Sequence, residues 1–102
     1  MVMSIDRKEE IKRELVSCLR TADEIRKIVV FGSFVTDSEP NDVDIAIFQD
    51  SDEEYLPLAL KYRRLVRTIA NQIPLDIVPL RIAEKPGSFL QEIEQGEVIY
   101  ER

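Results

Sequence analysis

The chain has 102 residues, of which 44% are hydrophobic and 33% charged, and its 14 basic and 20 acidic side chains give a formal charge of −6. This length suffices for one hydrophobic core and is too short for two, so we expect a single domain over residues 1–102. The sequence has no histidine, which excludes histidine acid/base catalysis and histidine-ligated zinc, and its excess of acidic residues argues against a nucleic-acid partner. No apolar run reaches the roughly 18 residues of a membrane span, so we expect a cytoplasmic protein with no membrane contact.

The N-terminal third predicts a helix and then a strand. From residue 5 to about residue 20, apolar side chains recur at helical spacing, and either Ser4 or Asp6 is a suitable N-cap. Residues 28–31 are β-branched or aromatic and predict a short buried strand, ended by Gly32. Residues 34–41 are rich in turn formers and predict a loop.

The segment that follows alternates with the period of a strand. From Asp42 to Phe48, one face would carry Asp42, Asp44, Ala46 and Phe48, and the other would carry three β-branched residues. A helix would not separate the two sets in this way. We therefore predict a second strand, joined to the first by a tight connection and antiparallel to it.

The second half predicts a helix, a strand, a helix and a strand. A long amphipathic helix should begin near residues 54–56, because Pro57 is tolerated only in a first turn, and its apolar stripe continues to Ile73. Residues 74–79 predict a third strand, residues 89–95 a short helix, and residues 98–100 a last strand. This order favours an α+β fold with a mixed β-sheet of three or four strands and helices packed mainly on one face.

Three acidic residues on these predicted strands point to metal chemistry. Asp42 and Asp44 would face one side about 6–7 Å apart along the backbone, and Asp76 would join them from a neighbouring strand. Three hard oxygen ligands suit Mg²⁺ or Mn²⁺. Gly32 would let the backbone approach a ligand closely, and Ser33 could donate a hydrogen bond to a phosphate.

Each of these features also has an ordinary interpretation. A Gly-Ser pair is common in turns, the Asp-x-Asp residues could belong to a loop with a solvated acid, and Asp76 could be a surface carboxylate on an edge strand. It is their order on predicted strands that favours the functional interpretation. The role of a basic cluster on the long helix is also undecided: it could bind a triphosphate, bind an acidic partner, or simply be a solvated helix face. Its members are Lys61, Arg63, Arg64 and Arg67.

The motifs follow one another in an order that resembles a known superfamily. FGS at 31–33, DVDI at 42–45 and LDIV at 75–78 resemble the signature of the DNA polymerase β-like nucleotidyltransferases, and within them the small prokaryotic minimal nucleotidyltransferases, or MNT proteins. The likeness covers roughly residues 10 to 100 and includes the closing stretches at 89–93 and 98–100.

The resemblance implies a site and a reaction. In the family, the three acids coordinate the metal and the Gly-Ser turn holds the phosphates of the nucleotide; carried over, these roles fall on Asp42, Asp44, Asp76, Gly32 and Ser33. The implied cofactor is Mg²⁺ or Mn²⁺, and the implied substrate is a nucleoside triphosphate such as ATP. Family members often pair, as antitoxins, with a helical protein of the HEPN class, and some transfer AMP to a tyrosine of that partner.

Two positions depart from the family pattern. Where the family commonly has an arginine directly after Gly-Ser, this chain has Phe34, and Asp37 stands in the region of a later glycine. The missing positive charge predicts weaker binding of a triphosphate. Besides an active enzyme, the sequence therefore leaves open a non-catalytic antitoxin or binding module of the same fold and a nucleotidyl subunit of a larger complex, and it leaves open a homo-oligomer.

Overall fold

The computed structural model describes residues 2–82 and 90–102 of the chain. In this part, helices and strands follow in the order α1 (Ile5–Leu19), β1 (Ile25–Phe31), α2 (Ser33–Thr36), β2 (Val43–Gln49), α3 (Tyr55–Leu65), α4 (Arg67–Ala70), β3 (Leu75–Arg81), α5 (Leu90–Glu94) and β4 (Glu97–Glu101). None of these described helices has both the length and the apolar character that crossing a bilayer requires.

The four strands form one mixed sheet in the order β3-β2-β1-β4. β1 is antiparallel to both β2 and β4, whereas β2 and β3 run parallel. The parallel pair needs a crossover, and α3 and α4 supply it. The α+β class with a mixed sheet of up to four strands is confirmed.

Most of the helical packing lies on one face of the sheet, as predicted. The larger core joins α1, α3 and α4 to the side chains of β1 and β2 that point towards them, with Leu15, Phe34 and Tyr62 among its fully buried members. The smaller core lies on the opposite face, where Ile93 of α5 packs against Val29 and neighbouring side chains. The second face is therefore the more open one.

The predicted starts of α1 and α3 are confirmed. Ser4 is the N-cap of α1, and its hydroxyl accepts a hydrogen bond from the backbone N–H of Arg7 at 3.1 Å. Pro57 is the third residue of α3, where the missing N–H costs no intrahelical hydrogen bond.

Two of the predicted elements are wrong in detail. The loop predicted over residues 34–41 begins instead as the single helical turn α2, because Phe34 is completely buried in the larger core and pulls the chain inward after β1. The long helix predicted to reach Ile73 divides at Val66, whose φ of −109° and ψ of 20° break the helix while Val66 and Ile69 stay buried.

Strand boundaries shift more modestly. β1 begins three residues earlier than predicted, and β2 runs from Val43 to Gln49, so that Asp42 immediately precedes the strand instead of opening it. The last helix covers Leu90–Glu94, within the predicted range of 89–95, and position 89 lies outside the described residues. These shifts leave the alternation that carries the acidic residues intact.

Candidate active site

Three carboxylates converge at one end of the sheet, where β1 ends and β2 and β3 begin. The parallel register of β2 and β3 places Asp44 directly beside Asp76, on the same face of the sheet. Asp42, just before β2, joins them, and one carboxylate oxygen from each residue lies within 4.8 Å of the other two. Asp42 and Asp44 are half-buried, whereas Asp76 is exposed on the edge strand β3. All three acids predicted from the sequence are thus brought together.

Gly32 forms the opposite side of this cluster. It has a φ of 74° and a ψ of −153°, a backbone conformation that is accessible almost only to glycine. A β-carbon at this position would overlap with Oδ2 of Asp44. Glycine is therefore required twice, for the bend between β1 and α2 and for the close approach of the Asp44 carboxylate to that bend.

Crowding of negative charge alters the protonation of Asp44. Burial is the largest cause, and together with the negative charges of Asp42, Asp76 and Glu92 it raises the pKa of Asp44 from the ordinary value of 3.8 to about 6. Asp76 also shares a hydrogen bond with this carboxyl group. A cation bound between the carboxylates would relieve the same repulsion.

The raised pKa predicts how stability depends on pH in metal-free protein. Between pH about 4 and about 6 the native state keeps a proton on Asp44 that the unfolded chain has lost, so the contribution of Asp44 to the free energy of unfolding falls as pH rises. Asp44→Asn cannot ionise. In urea unfolding with a chelator present, we expect this variant to be more stable than wild type at pH 7 and to lose the advantage near pH 4.

A second acid serves as the control for this prediction. Asp52 is exposed before α3 and takes no part in the carboxylate cluster, so Asp52→Asn should show no comparable gain that grows with pH. If Asp44→Asn is the less stable protein at pH 7 without metal, or if its advantage does not depend on pH, the electrostatic account of this site is incorrect.

Glu92 is a neighbour of the site that the sequence did not single out. It is exposed on α5, and its charge acts on Asp44. Only the fold brings α5 over the second face of the sheet, so spacing along the chain gave no signal for it. Glu92 adds a third negative charge around Asp44, besides those of Asp42 and Asp76.

The position after the Gly-Ser pair contributes no charge to the site. Ser33 begins α2 directly after Gly32 and is half-buried, but Phe34 is fully buried in the larger core. Lys8 of α1 lies with its Nζ 5.6 Å from the centre of the Phe34 ring and donates a hydrogen bond to the carbonyl of Asp37. This lysine therefore reaches the far end of α2, away from Ser33.

The carboxylate cluster fits a hard divalent cation. Oxygen atoms that share one Mg²⁺ at about 2.1 Å can be at most about 4.2 Å apart, and the three oxygens here all lie within 4.8 Å of one another, close to that limit. The set contains only carboxylates, which suits Mg²⁺ or Mn²⁺ better than soft metals. The raised pKa of Asp44 is consistent with this, because a cation between the carboxylates would offset the repulsion among their negative charges.

The chain is similar to a known protein family and to two solved structures. The family model described as "Polymerase beta, Nucleotidyltransferase" matches residues 13–102. A chain in the solved structure of a tri-AMPylated HEPN toxin from Shewanella oneidensis in complex with an MNT antitoxin is 16% identical with a TM-score of 0.61, and the match covers 93% of this chain and 73% of that one. A chain of the MntA–HpeT toxin–antitoxin, solved as a double aspartate-to-glutamate mutant, is also 16% identical with a TM-score of 0.62, over 89% and 73%.

At this level of identity the two structures establish likeness of fold alone. No curated protein sequence matches the chain. The range of the family model includes the Gly-Ser turn and all three acids.

Proposed function

This chain belongs to the polymerase β nucleotidyltransferase family, and on that premise we propose that it transfers a nucleoside monophosphate, AMP from ATP, to a hydroxyl group. The convergence of Asp42, Asp44 and Asp76 beside Gly32 is the observation that carries the proposal. Carboxylates arranged in this way serve phosphoryl chemistry when they hold Mg²⁺ or Mn²⁺.

Each residue of the site has a role in the proposed reaction. Asp42, Asp44 and Asp76 would hold the cation, which supplies positive charge to the phosphates and favours ionisation of the attacking hydroxyl. Gly32 lets the Asp44 carboxylate lie against the bend, and Ser33 would donate a hydrogen bond to a phosphate oxygen. The acceptor oxygen bonds to the α-phosphorus while the bond from that phosphorus to pyrophosphate breaks, and the proton of the acceptor leaves to solvent.

We further propose that the acceptor is a tyrosine of a HEPN-type helical protein and that the chain acts as the antitoxin of a cytoplasmic toxin–antitoxin pair. Support comes from the similar fold of a chain in a complex that contains a tri-AMPylated HEPN toxin and an MNT antitoxin.

A non-catalytic antitoxin of the same fold is the second candidate. Burial of Phe34 favours it, because the residue that follows Gly-Ser then provides no positive charge for a triphosphate. In this case the chain would act by covering its partner, and the acids would retain only a weak cation site. A subunit that supplies the nucleotidyl site to a larger complex is a third form of the same proposal.

Metal removal tests the enzyme against the binding module. Wild-type protein is incubated with ATP labelled at the α-phosphate, Mg²⁺ and a HEPN-type partner, and label on the partner is measured with and without a chelator. We expect labelling that requires Mg²⁺ and that disappears when the acceptor tyrosine is changed to phenylalanine. Absence of label under every metal condition, together with a stable complex, would favour the non-catalytic antitoxin.

A further inference from the structure

The outward face of α3 and α4 combines exposed leucines with arginines that form no ion pair with the other described residues. Leu56 and Leu60 are 64% and 51% exposed, and Arg63, Arg64 and Arg67 are also exposed. These five residues follow one another at intervals of four, three, one and three, which is the spacing of a single helical face opposite the buried residues of the same helices. We call this face the basic stripe. It spans roughly 16 Å along the helix direction.

The three arginines differ from Lys61, the fourth basic residue of the cluster predicted from the sequence. Lys61, which the sequence grouped with them, pairs with Glu24 at 2.8 Å and points away from the stripe. Within residues 2–82 and 90–102, Arg63, Arg64 and Arg67 form no ion pair, although the chain has an excess of acidic residues. Four other described cations do form ion pairs, namely Arg7, Lys12, Arg26 and Lys61, whereas Arg13 and Arg20 of α1 form none with the described residues.

Helix stability explains only part of this arrangement. Arg63 and Arg64 lie in the last turn of α3, where positive charge favours the carbonyl end of a helix. That effect does not require Arg67, which begins the next helix, and it does not account for two leucines exposed on the same face. Arg63 and Arg67 are four positions apart, so in the free protein they repel each other.

A groove connects the stripe to the edge of the sheet. It has a volume of about 340 Å³ and lies between the helices and β3, with Arg63 and Arg67 on one side, Leu75 and Ile77 on the other, and Val66 and Ala70 between them. Leu75 and Ile77 alternate with Asp76 along the strand, so the groove lies on the face of β3 opposite the Asp76 carboxylate. The arginines therefore do not serve the triphosphate that the carboxylate cluster would hold.

We propose that the basic stripe docks an acidic amphipathic helix of the partner protein, with its carboxylates on the three arginines and its apolar side chains over Leu56 and Leu60. The inference deepens the proposed function and rests on it, because it assigns the surface that holds the protein acceptor. A partner seated in the groove would contact both chain neighbours of Asp76, and its acceptor segment would reach the carboxylates by passing around the edge strand β3.

Other occupants fit the stripe less well. Nucleic acid is disfavoured by the charge of −6 and by the exposed leucines, which add nothing to phosphate contacts. A second copy of this chain is also a poor match, because α1, its longest helix, already pairs Glu9 and Glu10 with Lys12 and Arg7 of the same helix.

A peptide binding measurement tests the docking surface. The probe is a labelled, covalently stapled helix of about three turns with glutamates and leucines on one face, and its comparison peptide carries lysine in place of each glutamate. We expect Arg63→Glu with Arg67→Glu to weaken binding of the acidic peptide at least about tenfold, and Leu60→Ser to weaken it severalfold.

The control makes the same change of charge elsewhere. Arg13→Glu with Arg20→Glu alters two exposed arginines of α1 that line a different groove, and binding should stay within about twofold of wild type. Thermal unfolding of each variant verifies that it folds. Since Leu60 is exposed, Leu60→Ser tests the same surface without reversing a charge.

Several outcomes would overturn the proposal. Equal weakening by the two double variants would show a general charge effect, and equal binding of the lysine peptide would remove the role of the arginines. Tighter binding of an RNA duplex through the same arginines would make the stripe a nucleic-acid surface, and a dimer that those substitutions dissociate would make it a self-interface. Asp44→Asn should bind the peptide like wild type, so a failure of docking is distinguishable from a failure of AMP transfer.

Discussion

Replacing Asp44 with asparagine is expected to lower AMP transfer by about three orders of magnitude, because the loss of one charged metal ligand removes several kcal/mol of transition-state stabilisation. Asp44 is the central member of the cluster. It lies beside Asp76 in the register of the two parallel strands, it contacts the Gly32 bend, and it is the carboxylate on which the negative charges of its neighbours act. Transfer of labelled AMP to the partner, measured at saturating Mg²⁺ and ATP, gives the rate.

Asp37→Asn is the matched control, since Asp37 is an exposed acid of the same β1–β2 connection and lies outside the cluster. Its transfer rate should stay within about twofold of wild type. The two Asp44 predictions together are demanding, because the variant should be nearly inactive and yet more stable than wild type without metal at neutral pH. A variant that is inactive because it is unfolded would fail the second prediction. If wild type and Asp44→Asn label the partner equally, the hypothesis that the chain is an active enzyme is wrong.

The site could be predicted from the sequence because its geometry depends on the period of a strand. Asp42 and Asp44 alternate with Val43 and Ile45, and that alternation places the acids on one face whatever the exact strand boundary. Asp76 has the same relation to its apolar neighbours. Pairing of the two strands in parallel register then brings Asp44 and Asp76 together. The motif order supplied the remaining information, by resemblance to a family that the family model confirms.

What the sequence could not give depends on contacts between distant segments. The helical turn α2 forms because Phe34 finds a buried position in the core, and a segment rich in Asp, Ser and Pro shows no sign of that. Glu92 reaches Asp44 only through the packing of α5 on the sheet. Likewise, the sequence does not distinguish the four basic residues that lie close together on the predicted helix. In the fold, Lys61 forms an ion pair with Glu24, whereas the three arginines are exposed on the outer face.

Gly32→Ala is expected to damage the site almost as severely as loss of a ligand, although it removes no functional group. The added methyl group would overlap with Oδ2 of Asp44 and approach its Cγ to 3.3 Å, and the φ of 74° would cost an alanine about 1–2 kcal/mol. The Asp44 carboxylate must then rotate away from Asp42 and Asp76, or the bend must shift and carry Ser33 with it. We expect AMP transfer to fall by about a hundredfold and Mn²⁺ to bind more weakly, as measured by titration of the metal's paramagnetic signal.

Gly96→Ala separates damage to the site from damage to the fold. A β-carbon at Gly96 would lie 2.5 Å from the carbonyl oxygen of Val30 and 2.9 Å from Cβ of Phe31, so this variant should also lose stability, yet none of these atoms belongs to the carboxylate cluster. Per folded molecule, Gly96→Ala should therefore keep its Mn²⁺ affinity, whereas Gly32→Ala should lose it. Equal Mn²⁺ affinity in the two folded variants would mean that the close approach of Asp44 to the bend is not needed to bind the cation. Cation binding would then depend on Asp42 and Asp76 alone.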